Sequence, residues 1–409
     1  MFGVQPDPWT GPRGATQLAR NLATSPVALR EVPDARPLRD DWVVLRPRVC
    51  GICGSDAKQV LGDFEGDADS ALSGMATFPQ ILGHEIVADV VELGPAAHGI
   101  DVDARVAVNP WIGCVPRGVD PPCPACAAGD LSLCEHFDAG GIATGIHLGT
   151  SRDAGGGYAE LLAAHPSMLH PVSSDVPDEA AVLADPFAVA LHSVTRHPPP
   201  APDDRVLVWG AGALGQCTIA IIRTLFPRVR IAAVARFEAQ AHLADRLGAD
   251  HVVRPGTQVE SLEALAAWSH GRLRPTMDGL DGLPLCLPGG IAVAYDTIGR
   301  PETFEIETRV LAARGTIVVT GVHVPGRWEW SPHYFKEVAI VGSNAFGIEE
   351  VEGIRAHGIA HYLALVAAGR IDLAGLLTHT FALADWRDAF GALADQEASG
   401  AIKVALTPT

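Results

Sequence analysis

The pattern of hydrophobic and polar positions changes once along the chain, near residue 185. Before that point, short apolar runs such as DWVVLRPRV (41–49) and EIVADVVELG (85–94) are separated by clusters of turn residues. Runs of this length, bounded by glycine, proline and aspartate, are typical of β-strands. We therefore predict that residues 1–186 form a sheet-rich, barrel-like domain.

After that point the chain alternates between strand and helix patterns. An alanine-rich apolar segment (178–196) and a proline-rich connector (197–204) lead into a β-branched strand, a glycine turn and an apolar helix. The alternation predicts a parallel, doubly wound sheet over 187–335. Residues 274–290 are turn-rich and are predicted to form an extra loop. The mixed tail, 336–409, is expected to return to the first domain.

Length and charge restrict the classes of function. The chain has 409 residues, enough for two domains, and a formal net charge of −18. A phosphate-backbone partner requires a basic surface, and the sequence contains no lysine and arginine cluster, so we expect no nucleic-acid partner. The sequence has no basic-then-apolar leader and no run long enough to cross a bilayer, so we expect no membrane partner.

The chain has eight cysteines, and we expect it to lie in the reducing cytoplasm. There, cysteines serve as metal ligands, nucleophiles or core residues more often than they form disulfides. Four of them share one polar segment rich in proline and glycine: Cys114, Cys123, Cys126 and Cys134. Four thiolates in such a segment suit a closed tetrahedral zinc site, which stabilises a loop without catalysing a reaction.

The glycine turn of the second domain has G-x-G-x-x-G spacing, formed by Gly210, Gly212 and Gly215, with Ala213 and Leu214 between the last two. A strand before this spacing and a helix after it are the context in which it binds dinucleotides. The first glycine permits the tight turn, the second lets the backbone approach the pyrophosphate, and the third lets helix and strand pack closely. We therefore predict a nicotinamide dinucleotide site here.

Arg236 favours NADP over NAD at this site. An NAD site places a carboxylate about 20 residues after the turn, to bind the ribose 2′-hydroxyl. Counting on from Gly215 reaches Ala235, followed by Arg236. An arginine forms a bidentate contact with a 2′-phosphate. Glu238 lies close by, and a different bend of the loop would let it bind NAD instead.

The segment RVCGICGSDAK (48–58) places Cys50 and Cys53 three positions apart. The pair could be a redox dithiol, part of a zinc site, or one functional thiolate beside a bystander. A redox C-x-x-C is expected at the start of a helix, and the patterns around this one predict strands and turns. A cysteine together with His84 and Asp185, from two distant segments, gives zinc three protein ligands and an open fourth position.

Five motifs in chain order resemble the zinc-dependent medium-chain alcohol and polyol dehydrogenases. They are GICGSD (51–56), GHE (83–85), the cysteine segment, GGGYAE (155–160) and the glycine turn. The resemblance covers the chain from about residue 25 to the end. It implies an α/β protein with a GroES-like β-barrel catalytic domain, a zinc lobe at about 114–134 and a Rossmann domain. It also implies one catalytic and one structural zinc ion per chain, and a homodimer or homotetramer.

The resemblance implies a role for each candidate site residue. Cys53, His84 and Asp185 are implied as ligands of the catalytic zinc, with Cys50 as a packed bystander. Asp56 is implied to orient the zinc histidine, Ser55 to pass on the substrate proton, and Glu85 to be a carboxylate close to the metal.

Three departures from the family pattern leave roles open. Strict spacing of the cysteine lobe places Asp120 where the first cysteine belongs, so the first structural ligand is either Asp120 or Cys114. The relay histidine five residues after the zinc cysteine is Lys58 here, which leaves the exit of the proton beyond Ser55 open. The third catalytic ligand is Asp185, whose shorter reach leaves room for a water between it and the metal.

The activity implied is hydride transfer between a small-molecule secondary alcohol or polyol, or the matching ketone or aldehyde, and NADP(H). Three alternatives remain. The first is a zinc-independent quinone or enone reductase of the same fold, which would lack the pair of Cys53 and His84. The second is a non-catalytic NADP-binding protein with only a structural zinc, which the complete catalytic ligand set argues against. The third is a thiol redox protein that uses Cys50 and Cys53.

Overall fold

Two units make up the computed structural model, which describes residues 17–22, 25–61, 74–277, 282–323 and 326–408. The first unit contains the residues up to Asp185, residues 346–369 and those from 377 onward. The second unit contains residues 186–345 and 370–376. The C-terminal part of the chain therefore contributes to both units.

None of the strands and helices within the described residues is longer than 13 residues. The strands are β1 (Val43–Gly51), β2 (Glu85–Leu93), β3 (Arg105–Val108), β4 (Leu162–Ala164), β5 (Leu169–Pro171), β6 (Arg205–Trp209), β7 (Arg230–Val234), β8 (His251–Val253), β9 (Leu273–Arg274), β10 (Leu285–Cys286), β11 (Ile291–Asp296), β12 (Leu311–Val319), β13 (Ala339–Gly342), β14 (Ile348–Val351), β15 (Ile354–His357), β16 (Leu377–Ala382) and β17 (Lys403–Thr407). The helices are α1 (Gln17–Leu22), α2 (Gly54–Leu61), α3 (Cys114–Arg117), α4 (Pro124–Ala128), α5 (Asp178–Ala181), α6 (Ala184–Arg196), α7 (Ala213–Leu225), α8 (Glu238–Arg246), α9 (Gln258–Ser269), α10 (Pro301–Val310), α11 (Ser331–Phe335), α12 (Gly358–Ala367), α13 (Trp386–Ala394) and α14 (Gln396–Ser399). Short 3-10 turns cover Leu131–Leu133, Pro166–Met168 and Leu383–Asp385. None of these helices combines the length and the apolar composition needed to span a bilayer.

A seven-stranded sheet forms the centre of the first unit. Its order is β16-β17-β1-β2-β3-β5, with β4 also paired to β1. All neighbours are antiparallel except β16 and β17. Strand β17, near the C-terminal end of the chain, lies beside β1, so that Leu406 is opposite Cys50 and Ala405 is opposite Gly51. The sheet-rich first domain predicted from the apolar runs is confirmed.

The core of this unit follows the alternation of side chains along its strands. Val43 and Leu45 on β1 and Ile86, Ala88 and Val90 on β2 are all buried in one cluster. Residues two apart on a strand face the same side of a sheet. Burial of each valine, leucine or isoleucine side chain contributes roughly 1.5–3 kcal/mol, so the alternating pattern fixes which face of each strand meets the core.

A six-stranded parallel sheet forms the centre of the second unit, in the order β13-β12-β11-β6-β7-β8. Strands β6 and β7 are buried along their length except at their first residues, as expected for parallel strands covered on both faces. The strand order reverses between β6 and β11, the point at which doubly wound sheets bind nucleotides. The predicted parallel, doubly wound sheet is confirmed.

Two parts of the second unit differ from the sequence prediction. Strand β13 pairs in parallel with β12, so residues 336–345 belong to this unit and not to the returning tail. Strands β9 and β10 pair within the segment 274–290 that was predicted to be a loop, with Arg274 opposite Leu285; residues 278–281 lie outside the described residues. Both differences come from short strands that only their pairing partners stabilise.

A pair of neutral histidines is buried in the first unit. The rings of His170 on β5 and His357 on β15 stack with centroids 4.3 Å apart, and neither Nε2 atom has a hydrogen-bond partner within the described ranges. Burial lowers the pKa of His170 to about 4. Burial, with the neighbouring His170 and His361, holds the pKa of His357 well below its usual value. Protonation of either ring therefore opposes folding.

We predict that His170→Asn makes the stability of the first unit less sensitive to acid. Because the folded-state pKa of His170 lies below the unfolded value, its contribution is complete above pH 6.5 and is lost as the pH falls towards 4. The loss is on the order of 3 kcal/mol. The urea midpoint of zinc-loaded protein, measured from pH 7.5 to 4.5, should fall more steeply for the natural chain than for the variant. Parallel pH profiles would contradict this prediction.

Candidate active site

The pairing of β1 with β2 brings together three side chains of types that can bind a metal ion. Gly51, the last residue of β1, lies opposite Glu85, the first residue of β2. Cys53 follows β1 and His84 precedes β2, so the antiparallel register places both at the same end of the pair. The ligand atoms of Cys53, His84 and Glu85 all lie within 4.8 Å of one another. We call these three residues the Cys53 group.

A helix begins immediately after Cys53, which corrects the expectation of strands and turns around this cysteine. Helix α2 starts at Gly54, and the Cys53 N–H donates to Oδ2 of Asp56 at 3.1 Å. This contact is one half of a capping box. Cys53 therefore directly precedes the N-terminus of α2, where the N–H groups of the first turn have no partner within the helix.

Cys50 lies in a different environment. Its side chain is fully buried in the core cluster of the first unit, and burial raises the pKa of its thiol well above the usual value. All eight cysteines of the chain are free. Buried thiols of this kind are inert, so the redox-dithiol alternative loses one of its two members. The environment of Cys50 fits a packed bystander.

Asp56 connects helix α2 to the histidine. Its Oδ1 lies 3.5 Å from Nδ1 of His84, and its Oδ2 lies 3.1 Å from both the Cys53 nitrogen and the Tyr158 hydroxyl. Burial raises the pKa of Asp56, but His84 and the Cys53 N–H outweigh burial and hold the pKa below its usual value. An ionised carboxylate at this position fixes the orientation of a metal-binding imidazole.

The glycines at 155–157 hold Tyr158 against the segment that carries His84. The N–H of Gly156 donates to the Ile81 carbonyl at 2.7 Å. A Cβ atom on Gly156 would lie 2.1 Å from the Gly83 carbonyl oxygen, so only glycine permits this approach. The motif GGGYAE contains Tyr158, but the family resemblance alone did not assign this residue to the site.

A buried ion pair joins Glu85 to the C-terminal strand β17. The Lys403 ammonium contacts the Glu85 carboxylate and donates to the Ile52 carbonyl at 2.9 Å, and the two side chains are only 3% and 2% exposed. Burial lowers the pKa of Lys403, but the attraction of Glu85 and Cys53 outweighs burial and raises it. A Cβ atom on Gly51 would lie 2.1 Å from Glu85 Oε2, so glycine leaves room for the pair. No sequence pattern singled out Lys403, because its pairing partner is far away in the chain.

Asp185 lies close to the Cys53 group but outside it. It is a buried residue in the first turn of α6, and its Oδ2 has no hydrogen-bond partner in the described part of the chain. Burial raises the pKa of Asp185 to about 7, against the opposing effect of His84. The family resemblance implies Asp185 as the third ligand, but among the described residues the close group contains Glu85 instead. Glu85 adjoins His84 in the chain and has the longer side chain.

The two residues expected to move the proton lie on successive turns of α2. Ser55 is exposed in the first turn, and Lys58 is half-buried three positions further on. Residues three apart lie on the same side of a helix. Because α2 begins directly after Cys53, both belong to the element that positions the thiol.

His147 contributes an imidazole that no sequence motif indicated. Its ring centroid lies 4.6 Å from that of His84 and 5.6 Å from that of Trp111. Its Nδ1 lies 2.6 Å from the Leu148 carbonyl oxygen. Burial, together with His84, lowers the pKa of His147 to about 3. A single histidine in an irregular segment has no sequence signal for this proximity.

The four lobe cysteines form a second group of ligand atoms. Their sulfurs all lie within 4.8 Å of one another. Cys114 begins α3, Cys123 precedes α4, Cys126 lies within α4, and Cys134 follows a 3-10 turn. Among the described residues, Asp120 supplies no atom to this group. The spacing left the first structural ligand open between Asp120 and Cys114. In the structure, it is Cys114 that lies with the other three cysteines.

Hydrogen bonds and crowding in the lobe suit a bound dication. The Cys123 N–H donates to Cys114 Sγ at 3.3 Å, and the His136 N–H donates to Cys134 Sγ at 3.4 Å. Burial raises the pKa of Cys134 to about 11 and that of Cys126 further. Although burial also acts on Cys123, backbone N–H groups lower its pKa to about 6. Four crowded sulfurs ionise together only beside a cation, and tetrahedral Zn²⁺ accepts four thiolates.

The glycine turn in the second unit has the shape that a pyrophosphate requires. Gly210 has a φ of +92°, and a Cβ atom on it would lie 2.5 Å from a threonine hydroxyl. A Cβ atom on Gly215 would lie 1.8 Å from the Gly210 carbonyl oxygen, so α7 packs directly on the turn. Gly212 caps α7, and the position of its absent Cβ faces open space. Open space at this helix N-terminus, beside Ala213 and Leu214, fits a pyrophosphate.

Arg236 lies exposed just beyond the end of β7. Its carbonyl accepts a hydrogen bond from Arg254 at 2.9 Å, and the Arg254 guanidinium also contacts the Glu238 carboxylate. The other Glu238 oxygen lies 2.8 Å from Nε2 of His242. Glu238, the residue that would favour NAD, is therefore already engaged by two side chains.

Two family models match the chain. The alcohol dehydrogenase GroES-like domain matches residues 39–174, and the zinc-binding dehydrogenase model matches residues 213–357. The first match contains both cysteine groups, and the second begins inside the glycine turn. The two matches follow the order of domains that the motifs implied.

Relatives over nearly the whole chain support the same assignment. The (R,R)-butanediol dehydrogenase of Saccharomyces cerevisiae is 26% identical over 397 residues, which cover 92% of this chain and 94% of the relative. The sorbitol dehydrogenase of Halalkalibacterium halodurans is 24% identical, and the match covers 94% of this chain and 96% of the relative. A putative zinc-binding dehydrogenase from Sinorhizobium meliloti, solved bound to NADP, is 26% identical with a TM-score of 0.68. This match covers 93% of this chain and 95% of the solved chain. The chain therefore belongs to the zinc-type medium-chain alcohol and polyol dehydrogenase family.

Proposed function

We propose that this protein transfers hydride between a secondary alcohol or polyol, or the matching ketone or aldehyde, and NADP(H). The Cys53 group is the observation that carries the proposal: a sulfur, an imidazole and a carboxylate within 4.8 Å of one another. Such a set binds Zn²⁺ and leaves one position for substrate. Relatives named butanediol and sorbitol dehydrogenases support the substrate class.

Asp185 is proposed to complete the zinc ligands with Cys53 and His84. Glu85 already forms an ion pair with Lys403, whereas the buried Oδ2 of Asp185 has neither an ion pair nor a hydrogen bond among the described residues. A buried carboxylate in that state requires a proton or a cation. A divalent ion beside His84 would supply the cation. Glu85 would remain the carboxylate next to the metal.

Each residue of the proposed site would have a separate role in the reaction. When bound, zinc supplies the Lewis acidity that lowers the pKa of the substrate hydroxyl, and the nicotinamide supplies the hydride acceptor. Asp56 holds the His84 ring by its contact at 3.5 Å. Ser55 receives the hydroxyl proton and passes it towards the cofactor ribose or Lys58. The pairing of Lys403 with Glu85 compensates the charge of a second buried carboxylate.

NADP is proposed as the preferred cofactor. Arg236 is exposed beyond the second strand of the parallel sheet, where a 2′-phosphate would lie, and Glu238 is engaged by Arg254 and His242. A free carboxylate there would bind the 2′-hydroxyl of NAD and repel a phosphate. The NADP bound to the relative from Sinorhizobium meliloti supports the same preference.

A second, structural zinc ion is proposed at the four lobe cysteines. Cys114 is proposed as its first ligand in place of Asp120, since the Cys114 sulfur lies with the other three. The eight free cysteines suit a reducing cytoplasm, the proposed location. A homodimer or homotetramer is proposed from the family resemblance.

We predict that Cys53→Ser abolishes turnover, because the catalytic zinc loses its thiolate ligand. The kcat on a panel of secondary alcohols should fall by about 10³-fold or more, while NADPH binding, measured by nicotinamide fluorescence, changes little. Zinc content measured by mass spectrometry should fall by one ion per chain. Cys50→Ala, three positions away, is the matched control and should keep both zinc and activity. Retained activity in Cys53→Ser would refute the zinc assignment.

We predict that Arg236→Ala lowers kcat/KM for NADP by about 10- to 100-fold, because a charge-assisted contact with the 2′-phosphate contributes about 1.5–3 kcal/mol. The value for NAD should change little. Arg228→Ala, an exposed arginine paired with Asp203 before β7, is the control. A natural chain that prefers NAD would rule out this role of Arg236.

We predict that Cys114→Ser removes the structural zinc and Asp120→Asn does not. Loss of one of four thiolates opens a closed site and destabilises its loop. The cysteine variant should contain one zinc ion fewer per chain and unfold at a lower temperature, and the aspartate variant should match the natural chain in both. The reverse result would make Asp120 the ligand.

A further inference from the structure

We propose that His147 determines specificity: its Nε2 accepts a hydrogen bond from a hydroxyl on the carbon next to the one being oxidised, so that the site selects vicinal diols. The inference rests on the proposed function and deepens it. In the reaction, the carbinol C–H gives its hydride to NADP⁺ and the O–H gives its proton to Ser55, which leaves an α-hydroxyketone. The second hydroxyl is unchanged.

His147 lies beside a proposed metal ligand without being one itself. Its ring lies 4.6 Å from that of His84, with an angle of 44° between the planes. His84 is a proposed metal ligand and His147 is not, since its nitrogens do not belong to the Cys53 group. The part of a substrate that His147 can contact is therefore the substituent beside the reacting hydroxyl.

The backbone around His147 holds the ring in place. The His147 N–H donates to the Thr150 hydroxyl at 3.0 Å, and that hydroxyl donates back to the His147 carbonyl at 2.7 Å. An isolated bridge pairs Trp111 with His147, and their rings meet edge to face. A side chain fixed in this way recognises a substrate group without first losing conformational freedom.

The tautomer of His147 follows from its contact with Leu148. Its Nδ1 lies 2.6 Å from the Leu148 carbonyl oxygen. A carbonyl oxygen only accepts, so Nδ1 must carry the proton. In this tautomer Nε2 presents a lone pair.

This lone pair is available to a ligand. The His147 ring is half-buried, and its Nε2 has no hydrogen-bond partner among the described residues. An acceptor at this position binds a hydroxyl or ammonium donor and repels the oxygens of a carboxylate or phosphate. Lys403, the buried cation paired with a member of the Cys53 group, is already engaged by Glu85 and the Ile52 carbonyl. The chemistry therefore favours a neutral second hydroxyl over an acidic or phosphorylated substituent.

Three substrates of similar size test the donor requirement with NADP. They are 2,3-butanediol, 3-methoxy-2-butanol, which keeps the oxygen but cannot donate, and 2-butanol. We expect the natural chain to favour the diol over both others by about tenfold or more in kcat/KM. His147→Phe, which keeps the ring, should lower the value for the diol by about tenfold and change that for 2-butanol by less than about threefold. His147→Gln, which keeps an acceptor, should retain part of the preference.

A surface histidine provides the matched control. His98 makes the same kind of contact, with Nδ1 2.8 Å from the Ala96 carbonyl oxygen, and it is exposed. His98→Phe should leave the three kcat/KM values unchanged.

Two measurements do not depend on turnover. The ¹⁵N spectrum of histidine-labelled protein should contain an imidazole protonated at Nδ1 that disappears in His147→Phe. The same signal should shift when 2,3-butanediol is added to the NADPH complex, and not when 3-methoxy-2-butanol is added. A signal protonated at Nε2, or no shift with the diol, overturns the inference.

The outcomes separate this inference from the proposed function. If the natural chain oxidises alcohols without preferring the diol over its methyl ether, the role of His147 is wrong and the proposed function stands. If His147→Phe lowers activity on all three substrates equally, His147 does not recognise the second hydroxyl. If the zinc-loaded natural chain oxidises no alcohol with either cofactor, the proposed function itself fails.

Discussion

The register of β1 against β2 and β17 is the constraint on which the Cys53 group depends. Gly51 lies opposite Glu85 on β2 and opposite Ala405 on β17. Because side chains alternate between the faces of a strand, a shift of one residue would turn Glu85 away from Lys403. The absent side chain of Gly51 is equally necessary, since its Cβ would occupy the space of the Glu85 carboxylate.

Charge in this part of the first unit is balanced only when a proton or a cation compensates one of its buried carboxylates. Three carboxylates, Asp56, Glu85 and Asp185, are buried there, and Lys403 neutralises one of them. His84 is oriented by the second, and the third retains an oxygen without a partner. Isolated buried charges are costly. A divalent ion held beside Cys53 would compensate both the thiolate and the remaining carboxylate.

The two units differ in how their binding features are assembled. The glycine turn of the second unit is local: residues 210–215, at the junction of β6 and α7, supply its backbone shape, so spacing alone identifies it. The Cys53 group is assembled from separate segments, with Asp56 and Tyr158 supporting it. Its neighbour His147 comes from another irregular segment. Groups of this kind depend on strand pairing at long range.

By itself, the sequence determined the family, the order of the two domains, the parallel sheet and the glycine turn. These depend on periodicity and on motifs a few residues long, where local geometry follows from residue type. It also singled out Cys53 and His84, and the family resemblance implied Glu85 as a carboxylate close to the metal, but neither predicted the partner of Glu85. Only the tertiary structure decided that Glu85 pairs with Lys403, that Cys114 rather than Asp120 joins the lobe sulfurs, and that His147 lies beside His84. The physical reason is that strand pairing and loop packing bring these residues together across long separations, and the stability of such contacts depends on partners that no local pattern identifies.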